Sequence, residues 1–102
     1  MKVAISQPMH DKDINTIVQE REYYTKKLND LGFEVIDSLL KDYNEKSNPA
    51  IYLGKSIELM AEADAFVFLP GWENARGCRI EYQVAKDYNK IIIILPNNNS
   101  DE

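Results

Sequence analysis

An α/β fold built around a parallel sheet is predicted by two features of this 102-residue sequence. Short apolar runs of strand length alternate with longer segments of helical periodicity. The runs at residues 65–69 and 90–95 are almost entirely apolar, as is typical of strands covered on both faces. Helices between strands form right-handed crossovers, so the chain predicts a four-stranded sheet with the order 2-1-3-4. We therefore predict a flavodoxin-like or Rossmann-like three-layer sandwich, with residues 1–96 as one domain.

The composition excludes several classes of protein. Hydrophobic residues make up 44% and charged residues 28%, which is ordinary for a globular domain. The net charge of −5 argues against binding to nucleic acid or to an anionic membrane. A single cysteine, Cys78, and a single histidine, His10, leave neither a disulfide framework nor a zinc cluster, and we expect no metal and no cofactor. The N-terminus lacks the pattern of a signal peptide, so we expect a cytoplasmic location, in a cell or an infected cell.

The first strand and helix are predicted within residues 2–31. The strand, at residues 2–6, ends at Gln7 and Pro8 because proline cannot donate to a central ladder. Asp13 can cap a helix that extends to about residue 31, where Gly32 provides a left-handed stop. The inner face of that helix is expected to comprise Ile14, Ile17, Val18, Arg21, Tyr24, Leu28 and Leu31.

The next segment is predicted to contain a short strand at residues 33–37, an irregular or mobile connection at residues 38–47, and a helix. Asn48 and Pro49 should open this helix, since the missing proline N–H costs nothing at the first helical position. The helix extends to about residue 63, with an inner face of Leu53, Ile57, Met60 and Ala61. The Gly-Lys-Ser sequence at residues 54–56 matches only the end of a P-loop, so we predict helical residues, with Ser56 able to face a pocket.

Residues 65–88 are the segment around which the rest of the chain is organised. A buried strand at residues 65–69 and a polar turn at residues 70–74 precede a helix that the side chain of Asn74 can cap. One face of this helix is expected to carry Gly77, Ile80, Glu81, Val84, Ala85 and Tyr88. A fourth buried strand, at residues 90–95, ends at Pro96, and residues 97–102 form a polar tail that should be frayed.

Two charged residues interrupt these apolar faces, Glu81 on the third helix and Arg21 on the first. A buried carboxylate is costly unless it is paired, hydrogen-bonded or used, because losing its hydration costs free energy or shifts its pKa. Glu81 could form a structural ion pair, or it could face a ligand in the space that Gly77 leaves open. Arg21 could extend its guanidinium to the edge of the fold, or it could join Glu81 in one cluster that fixes a carboxylate or a phosphate.

The predicted strand order places a crevice at the carboxyl ends of strands one and three, where the order reverses. Those ends lie at residues 6–9 and 70–74, directly before the helix that bears Glu81. His10 follows the first end, where it could be a solvated side chain, a ligand or a base. Trp72 could stack on a nucleobase or anchor a partner, and Arg76 could bind a phosphate or remain a solvated charge.

Four segments carry a resemblance to known proteins. They are ISQPM, EREYY, YLGKSIELMAEADAFVF and above all LPGWENARGCRIEYQVAK. These segments resemble a phage and bacterial family of unknown function, the domain of unknown function 4406 family. That family is similar to nucleoside 2-deoxyribosyltransferases and 2′-deoxynucleoside 5′-phosphate N-hydrolases. The resemblance implies that Glu81, at the position of the glutamate in those enzymes, attacks the anomeric carbon of a deoxyribose and displaces the base.

The crevice and the resemblance together indicate a site in which Glu81 is the catalytic residue. The expected substrate-binding residues are Ser6, Gln7, Pro8, Met9, Arg21, Ser56, Gly71, Trp72, Asn74, Arg76 and Gly77. The places of the enzymes' accessory acids hold Ser56 or Lys55 and Asn74 or Ala75, none of which is a carboxylic acid.

Three functions follow as hypotheses. The first is binding of a deoxynucleoside or deoxynucleotide with N-glycosidic cleavage or deoxyribosyl transfer through a glutamate nucleophile. The second is a non-catalytic module that sequesters or senses a nucleotide-like signal, and the third is a partner-binding domain that uses Trp72. Because the related enzymes complete their sites with residues of a neighbouring subunit, a homo-oligomer is expected, most simply a dimer.

Overall fold

The computed structural model describes residues 1–36 and 48–96. Strands and helices alternate along the chain, and a short 3₁₀ turn at Trp72–Asn74 precedes the last helix. The elements are β1 (Lys2–Ser6), α1 (Ile14–Asp30), β2 (Glu34–Val35), α2 (Pro49–Met60), β3 (Ala65–Phe68), α3 (Arg76–Asp87) and β4 (Ile91–Ile94). The expectations for residues 37–47 and for the tail at residues 97–102 lie outside the described residues.

The sheet has four strands in the order β2-β1-β3-β4, and all three pairings are parallel. Val3 lies beside Ala65 in the β1–β3 pair, and Ala65 lies beside Ile91 in the β3–β4 pair. This is the predicted order, and the Rossmann-like α/β architecture is confirmed.

The sheet is covered on both faces because side chains of a strand alternate between them. On one face, Val3, Ile5, Ala65, Val67 and Leu69 pack with Leu28 of α1. On the other face, Ala4, Phe66 and Phe68 pack with Met60 of α2, Ala63 and Ala85 of α3. The two core clusters therefore lie on opposite sides of the sheet, as the predicted three-layer arrangement requires.

Four helix-end assignments were predicted, and three of them agree with the structure. The Asp13 carboxylate accepts from the Thr16 N–H at 2.8 Å and caps α1, which is followed by Gly32 at φ 97°. Asn48 Oδ1 accepts from the Ala50 N–H at 2.9 Å, and Pro49 is the first residue of α2. At α3 the prediction is wrong, because Asn74 belongs to the 3₁₀ turn and Ala75 is the N-cap.

Several predictions of length and burial are also corrected. The predicted second strand is reduced to Glu34–Val35 among the described residues. The predicted order already places β4 at the edge of the sheet, and at this edge the strand is only partly covered. Ile91 and Ile94 are therefore 49% and 51% exposed, although the apolar run predicted a buried strand.

The predicted inner faces also include residues that the structure places outside. Those that are exposed are Leu31, Ala61, Ile80 and Tyr88. Leu31, Ala61 and Tyr88 are C-cap residues, so each lies beyond the last turn that packs on the sheet. No helix within residues 1–36 and 48–96 is long and apolar enough to span a membrane.

Candidate functional site

A cavity of about 670 Å³ opens at the carboxyl edge of the sheet, where β1 and β3 lie side by side and the strand order reverses. This volume is in the range of pockets that bind small molecules. Its walls come from the segment after β1, from α1, from α2 and from the first turns of α3. The lining residues are Ile5, Gln7, Met9, His10, Asp11, Lys12, Arg21, Pro49, Tyr52, Leu53, Ser56, Asn74, Ala75, Arg76, Gly77, Cys78, Arg79 and Glu81.

Glu81 lies in the wall of this cavity with 7% of its surface exposed. The Ser6 hydroxyl, at the end of β1, donates to Glu81 Oε1 at 2.6 Å. The Ser56 hydroxyl, on α2, donates to Glu81 Oε2. Each carboxylate oxygen therefore has its own donor, and the two donors come from different elements.

The environment of Glu81 raises the pKa of its carboxyl above the usual range. Burial is the main cause, since it removes water from the charged form. The hydrogen bonds from Ser56 and Ser6 and the positive charge of Arg21 oppose this effect. Glu81 is thus a desolvated carboxyl whose charged form is supported by neutral hydroxyls and by one cation.

Arg21 belongs to the same polar cluster, since it lines the cavity and its charge acts on Glu81. Its guanidinium does not extend to the edge of the fold, because the residue is only 5% exposed. Arg21 Nη1 donates to Gln7 Oε1 at 3.3 Å. Of the two alternatives for Arg21, the structure therefore favours the shared cluster over the exposed guanidinium.

Gln7 is buried and fixed by contacts on both ends of its amide. Its Nε2 donates to the Ile17 carbonyl at 2.9 Å and to Glu20 Oε1 at 3.2 Å. Glu20 in turn accepts from Lys12 Nζ at 2.9 Å. These bonds set the orientation of the Gln7 amide, so its oxygen faces Arg21.

The first turn of α3 faces the cavity without a side-chain cap. Ala75 at the N-cap has no side-chain oxygen, so within residues 1–36 and 48–96 no side chain caps the free N–H groups of that turn. Gly77 adds to the open space, because a Cβ there would meet only Leu53 Cδ1 at 3.9 Å. An uncapped helix N-terminus carries partial positive charge and exposed donors, which suit an anion.

The lining is rich in cations although the whole chain carries a net charge of −5. Lys12, Arg21, Arg76 and Arg79 are the basic residues, against the carboxyl groups of Asp11 and Glu81. Arg79 Nη1 donates to the Glu73 carbonyl at 2.9 Å, whereas Arg76 makes no hydrogen bond or ion pair to any residue that the structure describes. The crevice is therefore a cationic region on an acidic protein.

The structure brings most of the predicted site residues together. Gln7, Met9, Arg21, Ser56, Asn74, Arg76, Gly77 and Glu81 line the cavity. Ser6 and Pro8 are buried beside it without lining it, and Gly71 lies outside the lining with φ 89°. Ser6 nonetheless reaches the site through its bond to Glu81.

Trp72 is placed away from the cavity lining. Its ring stacks on Tyr82 with centroids 4.8 Å apart and planes 19° from parallel, and it packs on Phe68 at 5.2 Å. Trp72 thus belongs to the core cluster on the α2 and α3 face of the sheet rather than to the crevice.

Several lining residues were not expected from the sequence. Cys78 is buried three residues before Glu81, and burial raises the pKa of its thiol to about 11. Tyr52 lies four residues before Ser56 on α2, so helical spacing from an identified site residue could have found both.

His10 and Asp11 form a 3.3 Å contact on the rim, with side chains that are 85% and 86% exposed. No cluster of three or more His, Cys, Asp or Glu residues suited to a metal occurs in the described part of the chain.

The fold and this site define a Rossmann-like α/β protein with a polar, cation-lined crevice at the carboxyl edge of its sheet. The family model for the domain of unknown function (DUF4406) matches residues 1–94. The chain therefore belongs to this family. No curated protein and no solved structure gives a significant match to the chain.

Proposed function

We propose that this protein binds a 2′-deoxynucleotide, or the matching deoxynucleoside, and cleaves its N-glycosidic bond by hydrolysis or deoxyribosyl transfer. The observation that carries the proposal is the buried carboxyl of Glu81, with a hydroxyl donor on each oxygen and a cavity beside it. The proposal includes a relationship to the nucleoside 2-deoxyribosyltransferases, whose nucleophile is a glutamate at this position.

Glu81 has the properties of a nucleophile for this reaction. A carboxylate that attacks the anomeric carbon forms a covalent glycosyl ester while the base leaves with the electrons of the broken bond. Water or a second base then displaces the ester and restores the carboxylate. Because burial raises the pKa of Glu81, the rate should fall as the pH decreases through that pKa and the carboxylate becomes protonated.

The phosphate of a nucleotide has a place at the start of α3. Arg76 lines the cavity there without a partner among the described residues, and the first-turn N–H groups have no side-chain cap. A guanidinium and a helix N-terminus together favour a phosphate by charge and by hydrogen bonding. We therefore expect monophosphates to bind more tightly than the corresponding nucleosides.

A second candidate is a non-catalytic module that binds the same ligand as a signal. One observation favours it: apart from Glu81, the carboxyl group in the described lining is that of Asp11, whose side chain is 86% exposed on the rim. A solvated carboxyl at the rim is a poor general acid for a departing base, since catalysis needs reach and a suitable pKa. Binding without cleavage would follow from that arrangement.

A thermal-shift screen, followed by analysis of each stabilising ligand for released base, separates the two candidate functions. The screen covers deoxynucleosides, deoxynucleoside monophosphates and ribonucleotides. A ligand that binds only the folded state raises its stability, by about 2.7 kcal/mol at a hundredfold excess over Kd. The enzyme hypothesis predicts a stabilising deoxynucleotide that loses its base, and recovery of the ligand intact would favour the binding module. Glu81→Gln should abolish cleavage, with the exposed Glu58→Gln as the matched control.

Self-association is part of the proposal, because a neighbouring subunit could close the open crevice. Static light scattering of the whole chain should therefore give a mass above that of the 102-residue monomer, most simply a dimer. A monomer at every concentration would contradict this expectation and mean that one chain forms the whole site.

A further inference from the structure

We infer that Ser6 and Ser56 have different roles at Glu81: Ser6 holds Oε1 throughout the reaction, and Oε2 is the attacking atom, which Ser56 releases as the substrate enters. This inference rests on the proposed function, since it assigns the atoms of the same reaction. It makes Ser6 a positioning residue and identifies which carboxylate oxygen reacts.

Ser6 approaches Glu81 from inside the protein. It is the last residue of β1, it is 4% exposed, and it does not line the cavity. Its carbonyl accepts from the Leu69 N–H at 3.0 Å, which ties its backbone to the segment after β3. The 2.6 Å bond from its hydroxyl to Oε1 therefore lies on the wall side of the carboxylate, where a ligand has no access.

The Ser6 hydroxyl also lies beside Cys78, where its interaction lowers the pKa of the thiol against the larger effect of burial. Because burial raises the pKa of Cys78 to about 11, its thiol stays protonated at neutral pH. The Ser6 hydroxyl has one proton, and the 2.6 Å bond assigns it to Glu81. Because that proton goes to Oε1, Ser6 supports the charge of Glu81 rather than that of the Cys78 thiol.

Ser56 approaches Glu81 from the cavity side. It is half-buried on α2 and lines the cavity, and its hydroxyl donates to Oε2. Oε2 is thus the carboxylate oxygen that a ligand in the cavity can reach. A hydroxyl that donates to the attacking oxygen also competes for its lone pair, so this bond must open before attack.

The atoms of the reaction follow from this geometry. A lone pair of Oε2 forms the bond to the anomeric carbon, and the carbon–nitrogen bond breaks with its electron pair on the base, which takes a proton from water. In the resulting ester Oε2 is bonded to the sugar and Oε1 is the carbonyl oxygen, which still accepts from Ser6. Water then attacks the same carbon, the bond to Oε2 breaks, its electrons return to the carboxylate, and the proton of the water goes to solvent.

The first test measures Glu81 itself. A titration of its ¹³C-labelled carboxyl by NMR, in the wild type, Ser6→Ala and Ser56→Ala, should show a higher pKa in both variants, because each loses a donor to the charged form. Ser56→Thr keeps a hydroxyl and should restore the wild-type titration. If neither alanine variant changes the titration, the serines do not hold Glu81 and the inference is overturned, whether or not any nucleotide is cleaved.

The second test uses a deoxynucleotide that the wild type cleaves. Ser6→Ala should lower kcat by about a hundredfold with little change in KM, since misplacing a catalytic group by about 1 Å costs on the order of 10²-fold. Ser56→Ala should lower kcat much less, because its bond to Oε2 is already open during attack. An equal or larger loss in Ser56→Ala would show that Oε2 is not the attacking atom. If the wild type cleaves no nucleotide, both the proposed reaction and the assignment of Oε2 as the attacking atom are wrong. The NMR titration would still show whether the two serines stabilise the Glu81 carboxylate.

Discussion

Among the described residues, Glu81 and Arg21 are the charged side chains that the fold buries. Each is surrounded by groups that suit its charge, with hydroxyl donors on Glu81 and an amide oxygen on Arg21. At Glu81 these contacts do not fully offset the loss of hydration, because burial still raises the pKa of its carboxyl. A residue that costs stability in its charged form and lies beside a cavity is typical of a functional site.

Glu81→Gln should therefore make stability less dependent on pH. A folded-state pKa above the ordinary value of 4.5 means that the folded protein binds this proton more tightly than the unfolded chain. The wild type should lose stability as the pH rises from about 4.5 through the raised pKa, and the glutamine variant should lose less. Glutamine can also keep both serine contacts, so the variant should have the higher Tm at neutral pH.

Thermal melts of both proteins across this pH range test the prediction, with Glu58→Gln as the control on the exposed face of α2. A difference in Tm that stays constant with pH would contradict the assigned titration. The same variant should lack activity, so its stabilisation and its inactivity would have one cause.

The two buried charges could be predicted because each interrupts an apolar face at helical spacing. Trp72 could not be placed in the same way, since its stacking partner Tyr82 lies on a different element and no local pattern links them. Cys78 was missed as a lining residue because a small apolar side chain near a helix start is ordinary core by composition. Contacts between elements decided the position of Trp72, whereas Cys78 lies at helical spacing from Glu81.

At the scale of elements, the start of α3 differs from the starts of α1 and α2. Asp13 and Asn48 cap those two helices with side-chain oxygens, and both caps could be predicted from residue type and position. Asn74 was an equally good candidate, but the 3₁₀ turn moves the helix start one residue further, to a cap without a side-chain acceptor. The uncapped turn lies at the cavity, where its free N–H groups are available to a ligand.

Ala75→Ser should make the fold more stable and weaken the binding of a phosphate at the start of α3. A serine oxygen can accept from the first-turn N–H groups, which stabilises a helix by about 1 kcal/mol relative to alanine. The free energy of unfolding should rise by roughly this amount, and the affinity for a nucleoside monophosphate should fall, because the added oxygen occupies the donors of the phosphate site.

Urea unfolding and calorimetric titration measure the two effects. Ala61→Ser is the matched control, since Ala61 is exposed at the end of α2 and does not line the cavity. Unchanged phosphate affinity in Ala75→Ser, together with a more stable fold, would place the phosphate elsewhere.

At the scale of the whole molecule, the alternation of strands and helices was enough to predict the order β2-β1-β3-β4 and the position of the crevice. The exposure of β4 follows from its edge position in that order, whereas the run IIII alone suits a central strand as well as an edge strand. The fold concentrates basic side chains in the crevice of a chain whose net charge is −5. This distribution depends on how loops and helices meet, so the net charge, which argued only against nucleic acid and an anionic membrane, could not predict it.

The central claim is that Glu81 forms a covalent bond to a deoxyribose. Its most direct test is the mass of the intact chain after incubation with a 2-fluoro-sugar analogue of a cleaved nucleotide, whose fluorine slows breakdown of the ester. The account predicts a mass increase equal to one 2-fluoro-sugar phosphate, located on the peptide that contains Glu81 and absent in Glu81→Gln. Release of base with an unmodified chain, or a modification on any other residue, would contradict it.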